Sequence, residues 1–282
     1  MKTSPRIATL ADGLLQLCGT VGTQSGEHIK PIHAYCGARL VLEGGFPPEW
    51  VGPRPPLVSK RVSNQVFELE RSNKTADRVE RRILGGIKYK SVDVTAVVNG
   101  LGPAIGISAK STGNAFRNLT NRMEEALGEC TNVHLMYPGF VFGFLHLIKF
   151  CKLSETANPQ DSSFAEDDCP LPSIARYHEV LVALSGRSTI TDPGMRYESV
   201  ALLVYRCRKG RAAIWPSYPP LDSPVHFSRF FSRLYNMYDL RFAYPDPDGP
   251  NIRKEWRLPL PLAETDFDKA TPYPWRPRLS SG

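Results

Sequence analysis

The chain has 282 residues, 41% hydrophobic and 22% charged, with a formal net charge of +7. That balance excludes wholesale disorder, and no stretch approaches the roughly eighteen consecutive apolar residues of a membrane span. The positive excess favours a polyanionic partner without speaking to fold.

Six cysteines, Cys18, Cys36, Cys130, Cys151, Cys169 and Cys207, show no zinc-knuckle spacing. They read as reduced thiols in a cytoplasmic protein. The apolar stretch LLQLC is too short for a signal peptide and follows Asp12.

In chain order, residues 6–18 space their apolar positions for a short amphipathic helix. The segment 43–57, EGGFPPEWVGPRPPL, is too rich in proline and glycine for regular structure. Residues 59–84 carry Val62, Val66, Leu69, Ala76, Val79 and Ile83 at helical spacing, with Gly85–Gly86 as a stop. Strands are expected over 92–98 and 104–109, joined by a turn at Asn99–Pro103, then a helix over 114–128 ending at Gly128. VFGFLHLIKF, 141–150, is apolar almost throughout, as a strand central in a sheet should be.

The acidic, proline-punctuated stretch 152–172 reads as a mobile loop. A helix over 173–186 follows, then strands 198–207 and 211–215 around the basic turn RKGR. Phe227, Phe230, Phe231, Leu234, Tyr235 and Tyr238 form a helical stripe that marks a core or a dimer face, and the tail after Tyr244 wraps the surface. The pattern predicts one α/β domain over 1–282, its core at about 60–216.

Asp93 opens the first strand of the hairpin and Lys110 closes the second. Lysine and aspartate are seldom buried unless paired, and an acid and a lysine at one sheet rim suit metal-assisted phosphodiester cleavage. Side chains alternate along a strand, so Ser108 and Lys110 share a face while Ala109 points away. The Ala109 carbonyl is left free for a cation such as Mg²⁺, with Mn²⁺ as the alternative. The Gly100-Leu101-Gly102 stretch lacks a following GK[ST] and is a hairpin turn.

Val92–Asp93 followed by Ser108–Ala109–Lys110 resembles the PD-(D/E)XK nuclease superfamily, to which most type II restriction endonucleases belong. The resemblance covers about residues 78–150 and implies a restriction-endonuclease-like mixed central sheet flanked by helices. Ser108 stands where the superfamily usually has an acid. One subgroup takes that acid from the next helix, about fourteen residues past the lysine, and Lys110 plus fourteen is Glu124, next to Glu125. The resemblance also implies a metal-site glutamate on a preceding helix, here Glu80.

Lys88, Lys90, Arg117 and Arg122 flank the site, and Arg208, Lys209 and Arg211 crowd the later hairpin, as phosphate contacts of double-stranded DNA would. His134 is either a proton shuttle or a structural histidine. The expected activity is a Mg²⁺-dependent DNA endonuclease of a restriction or anti-phage system, acting as a homodimer or tetramer because cutting both strands takes two sites. A nuclease subunit of a larger defence or transposition complex, and a catalytically silent nucleic-acid-binding protein of the same fold, are the alternatives.

Overall fold

Apolar residues fall into two clusters, and one six-stranded sheet separates them. The computed structural model describes residues 6–19, 26–63, 65–72, 80–112, 119–156, 161–243, 253–259 and 272–280. Among these the helices are α1 (Leu10–Gly19), α2 (Lys30–Leu42), α3 (Leu119–Met136), α4 (Pro172–Leu184) and α5 (Phe230–Arg241). The strands are β1 (Val51–Gly52), β2 (Leu57–Arg61), β3 (Val66–Arg71), β4 (Arg81–Ile83), β5 (Lys90–Val92) and β6 (Val94–Val98), then β7 (Gly102–Thr112), β8 (Val141–Lys149), β9 (Ser199–Arg208), β10 (Arg211–Ile214) and β11 (Glu255–Arg257).

The main sheet runs β1-β6-β7-β8-β9-β10. β7, β8 and β9 are parallel, and the β1–β6, β6–β7 and β9–β10 pairs are antiparallel. Two small sheets accompany it, β11-β3-β2 and β4-β5. The architecture is α/β, a mixed sheet flanked by helices.

β8 is central because both its faces are covered, which is why its sequence is apolar without alternation. Ala109, Leu145 and Leu203 turn toward α1, α2 and α5, while Phe144, Ile148 and Leu202 turn toward α3 and α4. Gly143 allows α5 its close seat: a Cβ there would stand 2.8 Å from Phe230 and 2.9 Å from Leu234. The aromatic stripe of α5 is core, with Phe230, Phe231, Leu234, Tyr235 and Tyr238 all buried. Lys209 (φ 44°) and Gly210 (φ 73°) make the two-residue turn between β9 and β10, where both central residues take positive φ.

Several elements differ from the sequence expectation. The helical spacing over 59–84 is instead strand at 57–61, 66–71 and 81–83, with 73–79 outside the described residues. β3 is held from both sides, by β2 and by β11 nearly two hundred positions away in the chain. Pairing across such a separation leaves no local periodicity to read. Segment 43–57 does contain a strand, since β1 pairs with β6 despite the surrounding prolines.

α3 runs through Gly128 to Met136, because the buried row Met123, Ala126, Cys130 and Val133 outweighs the roughly 1 kcal/mol penalty of a mid-helix glycine. α2 shows no clear amphipathic stripe because ten of its thirteen residues are buried. The 152–172 stretch is anchored where described: Ser162 and Ser163 are buried and Phe164 stacks on Phe150 at 4.6 Å.

The expectation of six reduced thiols fails for one pair. α1 packs on β9 and β10, and Cys18 is disulfide-bonded to Cys207 with Cα atoms 5.7 Å apart across 189 positions. Cys36, Cys130, Cys151 and Cys169 are free. Among the described residues no helix is long and apolar enough to cross a membrane.

The tail is more than a wrapping. Trp256 on β11 is fully buried, and its indole N–H donates to the Val41 carbonyl at 2.7 Å. Trp256→Ala should therefore lower unfolding free energy by roughly 3–5 kcal/mol in urea denaturation, the usual range for truncating a buried aromatic.

Candidate active site

The chain leaves the small β4–β5 sheet and enters the main sheet at a single residue, Asp93. Its carboxylate is 6% exposed and folds back over β7. Oδ2 accepts hydrogen bonds from the Ala109 N–H at 2.8 Å, the Lys110 ammonium at 3.2 Å and the Ser108 hydroxyl at 3.2 Å. Burial works against the Lys110 charge, but Asp93, Glu129 and Glu125 outweigh it and hold the ammonium above the usual lysine pKa.

α3 presents Arg122, Glu125 and Glu129 at i, i+3 and i+7, one face of a helix. Arg122 pairs with Glu125 at 3.2 Å. Glu129 is 4% exposed and reaches under the sheet rim, where Oε2 lies 3.0 Å from the Ser108 hydroxyl and Oε1 lies 3.4 Å from the Lys90 ammonium. Burial pushes its pKa up, Lys110 opposes the shift, and Asp93 reinforces it. The Ser108 proton cannot serve Asp93 and Glu129 together, so a proton on Glu129 satisfies both contacts.

From the other face of the sheet α2 contributes His33, 4% exposed. Nδ1 stands 3.5 Å from Glu80 Oε1 and Nε2 stands 3.9 Å from Asp93 Oδ2. Neither ring nitrogen has a hydrogen-bond partner. His33, Glu80 and Asp93 each offer one donor atom, all within 4.8 Å of one another. This oxygen-and-nitrogen donor set, with an orphaned imidazole aimed into it, fits a divalent cation. A cleft of about 210 Å³ opens here, lined by Glu80, Asp93, Ala109, Lys110, Arg122 and Glu125 beside the two histidines His28 and His33. Burial lowers the His28 pKa, and His33 and Arg122 add to the shift.

The structure thus brings together Asp93, Ser108, Ala109, Lys110 and Glu80, with Lys90 and Arg122 at the edge. Glu80 reaches the cleft from the segment before β4 rather than from a helix. Glu124 is exposed and lies off the cleft; its neighbour Glu125 lines it, because successive helical residues point about 100° apart.

Lys88 is exposed in a loop that Asn132 pins, accepting from the Ile87 N–H at 2.8 Å and donating to the Lys88 carbonyl at 2.8 Å. Arg117 lies outside the described residues. Arg208, Lys209 and Arg211 are exposed on the β9–β10 hairpin. Arg208 is six positions beyond Leu202, the residue in register with Lys110 through His146, which sets it about 20 Å farther along the strands.

His134 faces a separate buried cluster: Nε2 is 3.6 Å from Glu198, which also binds Arg187 and Arg241 at 2.6 Å each. It belongs to that framework and not to the cleft. Sequence spacing did not single out the cleft histidines His28 and His33, or Glu129 behind Ser108. Only Glu129 left a trace there, as the i+4 partner of Glu125 on a helix whose next face is apolar.

Comparison with protein-family models, curated proteins and solved structures finds no match to this chain.

Glu129 provides a test of the site's electrostatics. With its folded-state pKa above the usual 4.5, wild type keeps the full benefit of the buried carboxyl only at lower pH and loses it as pH rises through the raised value. Glu129→Gln, which cannot ionise, should match wild type near pH 4 and exceed it at neutral pH, by about 1.4 kcal/mol per unit of upward shift, in urea denaturation with chelator present.

Proposed function

We propose that this chain is a metal-dependent nuclease of the PD-(D/E)XK type that hydrolyses phosphodiester bonds in DNA. The observation that carries the reading is the single carboxylate of Asp93. It receives the Lys110 ammonium and the Ala109 amide inside one cleft, beside Glu80 and Glu125 from two other elements. The succession of an antiparallel pair, a crossover helix and a strand parallel to the second member, β6-β7-α3-β8, is the core order this reading calls for. On α3 it is Glu125 rather than Glu124 that lines the cleft, paired with Arg122, and Glu80 is the second acid beside Asp93.

A divalent cation held by Asp93, Glu80 and the Ala109 carbonyl would polarise a phosphoryl oxygen and acidify a water. The Lys110 ammonium donates hydrogen bonds and offsets charge building on the phosphate. Asp93 fixes that ammonium at the rim, and the Ser108 hydroxyl fixes Asp93. Arg122 at the cleft edge is placed to hold a neighbouring phosphate, a contact that positions the strand without reading its sequence. The formal charge of +7 favours a polyanion. Cutting both strands of a duplex would pair two copies of the chain.

Incubation with supercoiled and linear DNA, with divalent metal or with EDTA, tests the reading. Lys110→Ala should reduce cleavage by roughly 10²–10⁴-fold, the span typical for a positioned catalytic group. Asp93→Asn is the safer change at Asp93, because its amide oxygen still accepts from Ala109, and it should be comparably inactive. Glu125→Ala should impair cleavage strongly and Glu124→Ala should not. Full metal-dependent cleavage by Asp93→Asn would sink the proposal.

Binding is measured separately. Arg122→Ala should reduce the log–log salt slope of DNA affinity by about 0.9, one phosphate contact, in fluorescence anisotropy. An unchanged slope removes Arg122 from the interface.

A further inference from the structure

We infer that the ion this cleft takes is a first-row transition cation, Mn²⁺ foremost, held by a ring nitrogen of His33 with the carboxylates of Glu80 and Asp93, in preference to Mg²⁺. The inference rests on the nuclease reading for what the ion does, and on the geometry alone for what binds it.

His33 is the reason. A buried polar group left without a partner costs on the order of 1–3 kcal/mol, and His33 has two such atoms at 4% exposure. The other buried polar side chain of α2, Arg39, is paired with Glu43 at 2.6 Å, whereas His33 has no hydrogen-bond partner. Both nitrogens instead face carboxylate oxygens, at 3.5 and 3.9 Å. One donor atom from each of His33, Glu80 and Asp93 lies within 4.8 Å of the others, close to the roughly 3.0–4.2 Å that separates ligands about 2.1 Å from a shared ion.

The chemistry of the donors selects the metal. Mg²⁺ prefers oxygen ligands and is held chiefly by their charge. Here Lys110 offsets Asp93 at 3.2 Å and Arg122 on the cleft wall is paired with Glu125 at 3.2 Å, which leaves little more than the charge of Glu80 for a hard cation. An imidazole nitrogen shifts preference toward the first-row transition series. Mn²⁺ is the member of that series that also accepts carboxylate and carbonyl oxygens readily, such as that of Ala109.

The test uses the full chain, stripped with EDTA and titrated with Mn²⁺ alone and in about hundredfold excess of Mg²⁺, with bound ion read by electron paramagnetic resonance. Expected is a bound Mn²⁺ that survives the Mg²⁺ excess and shows ¹⁴N modulation in spin-echo spectra of the wild type, a readout that needs no variant. His33→Ala, checked for folding by circular dichroism, should lose the nitrogen coupling and weaken Mn²⁺ binding by roughly tenfold or more while changing Mg²⁺ binding far less. Absence of ¹⁴N coupling in the wild type, or displacement of Mn²⁺ by Mg²⁺ at that excess, overturns the inference. Nitrogen-coupled Mn²⁺ on a chain that cuts no DNA would leave the site standing and remove the nuclease; Mg²⁺-driven cutting without the coupling would do the reverse.

Discussion

A buried carboxylate must be compensated or it destabilises the fold that buries it. Asp93 is that carboxylate here, and much of the molecule is arranged around it. Its position between β5 and β6 makes it the hinge where a two-stranded sheet gives way to the main sheet. Three hydrogen bonds from consecutive residues of β7, a hydroxyl, an amide and an ammonium, converge on one of its oxygens. They lock the end of the β6–β7 pair while leaving Lys110 charged and partly open to solvent. The same set explains Ser108. An acid there would stand against Asp93 as a like charge, whereas the hydroxyl bridges Asp93 to Glu129 on α3.

Two buried acidic clusters show how a framework and a site differ. Glu198, at the opposite end of the parallel strands, has Oε1 held by Arg187 and Arg241 and Oε2 by the Phe142 N–H at 2.6 Å. Burial alone would raise its pKa, yet His134, Arg241 and the Phe142 N–H pull it below the usual value. Each of its oxygens is engaged, as befits a strut that ties α5 and the segment after α4 to the start of β9. Arg187 Nε and Arg241 Nε and Nη2 lack hydrogen-bond partners there, and the cleft has unpartnered groups as well. His33 lacks hydrogen-bond partners, and Glu129 Oε1 has only the Lys90 ammonium, at 3.4 Å. A buried group with unmet polar capacity calls for a partner, and the groups nearest His33 are the carboxylates of Glu80 and Asp93.

The cleft also lies where the two apolar clusters meet. α2 belongs to one and α3 to the other, and the end of β7 is the edge they share. A ligand there touches both layers and the sheet at once. The Cys18–Cys207 bond and the buried Trp256 brace the α1, α2 and α5 side, whereas the α3 side relies on aromatic packing such as Phe144 on Tyr197 at 5.2 Å.

The sequence by itself determined the hairpin around Asn99–Pro103, the central strand near 141–150, the aromatic helix of 226–242, and the pairing of Asp93 with Lys110 at one rim. Each is a local property: alternation along a strand, continuity of apolar residues, helical spacing, two residues near the open end of one hairpin. Tertiary structure alone decided the rest. Strand β11 joining β3 and Cys18 meeting Cys207 are contacts between distant parts of the chain, which no local period encodes. His33 became part of the cleft only when α2, buried on nearly every side and so without an amphipathic signature, docked against β6 and β7. Glu125 and Glu129 were chosen over Glu124 by the rotation of α3 about its axis. That rotation is fixed by which residues the helix buries, Met123, Ala126, Cys130 and Val133, and a sequence motif counted from Lys110 carries no information about it.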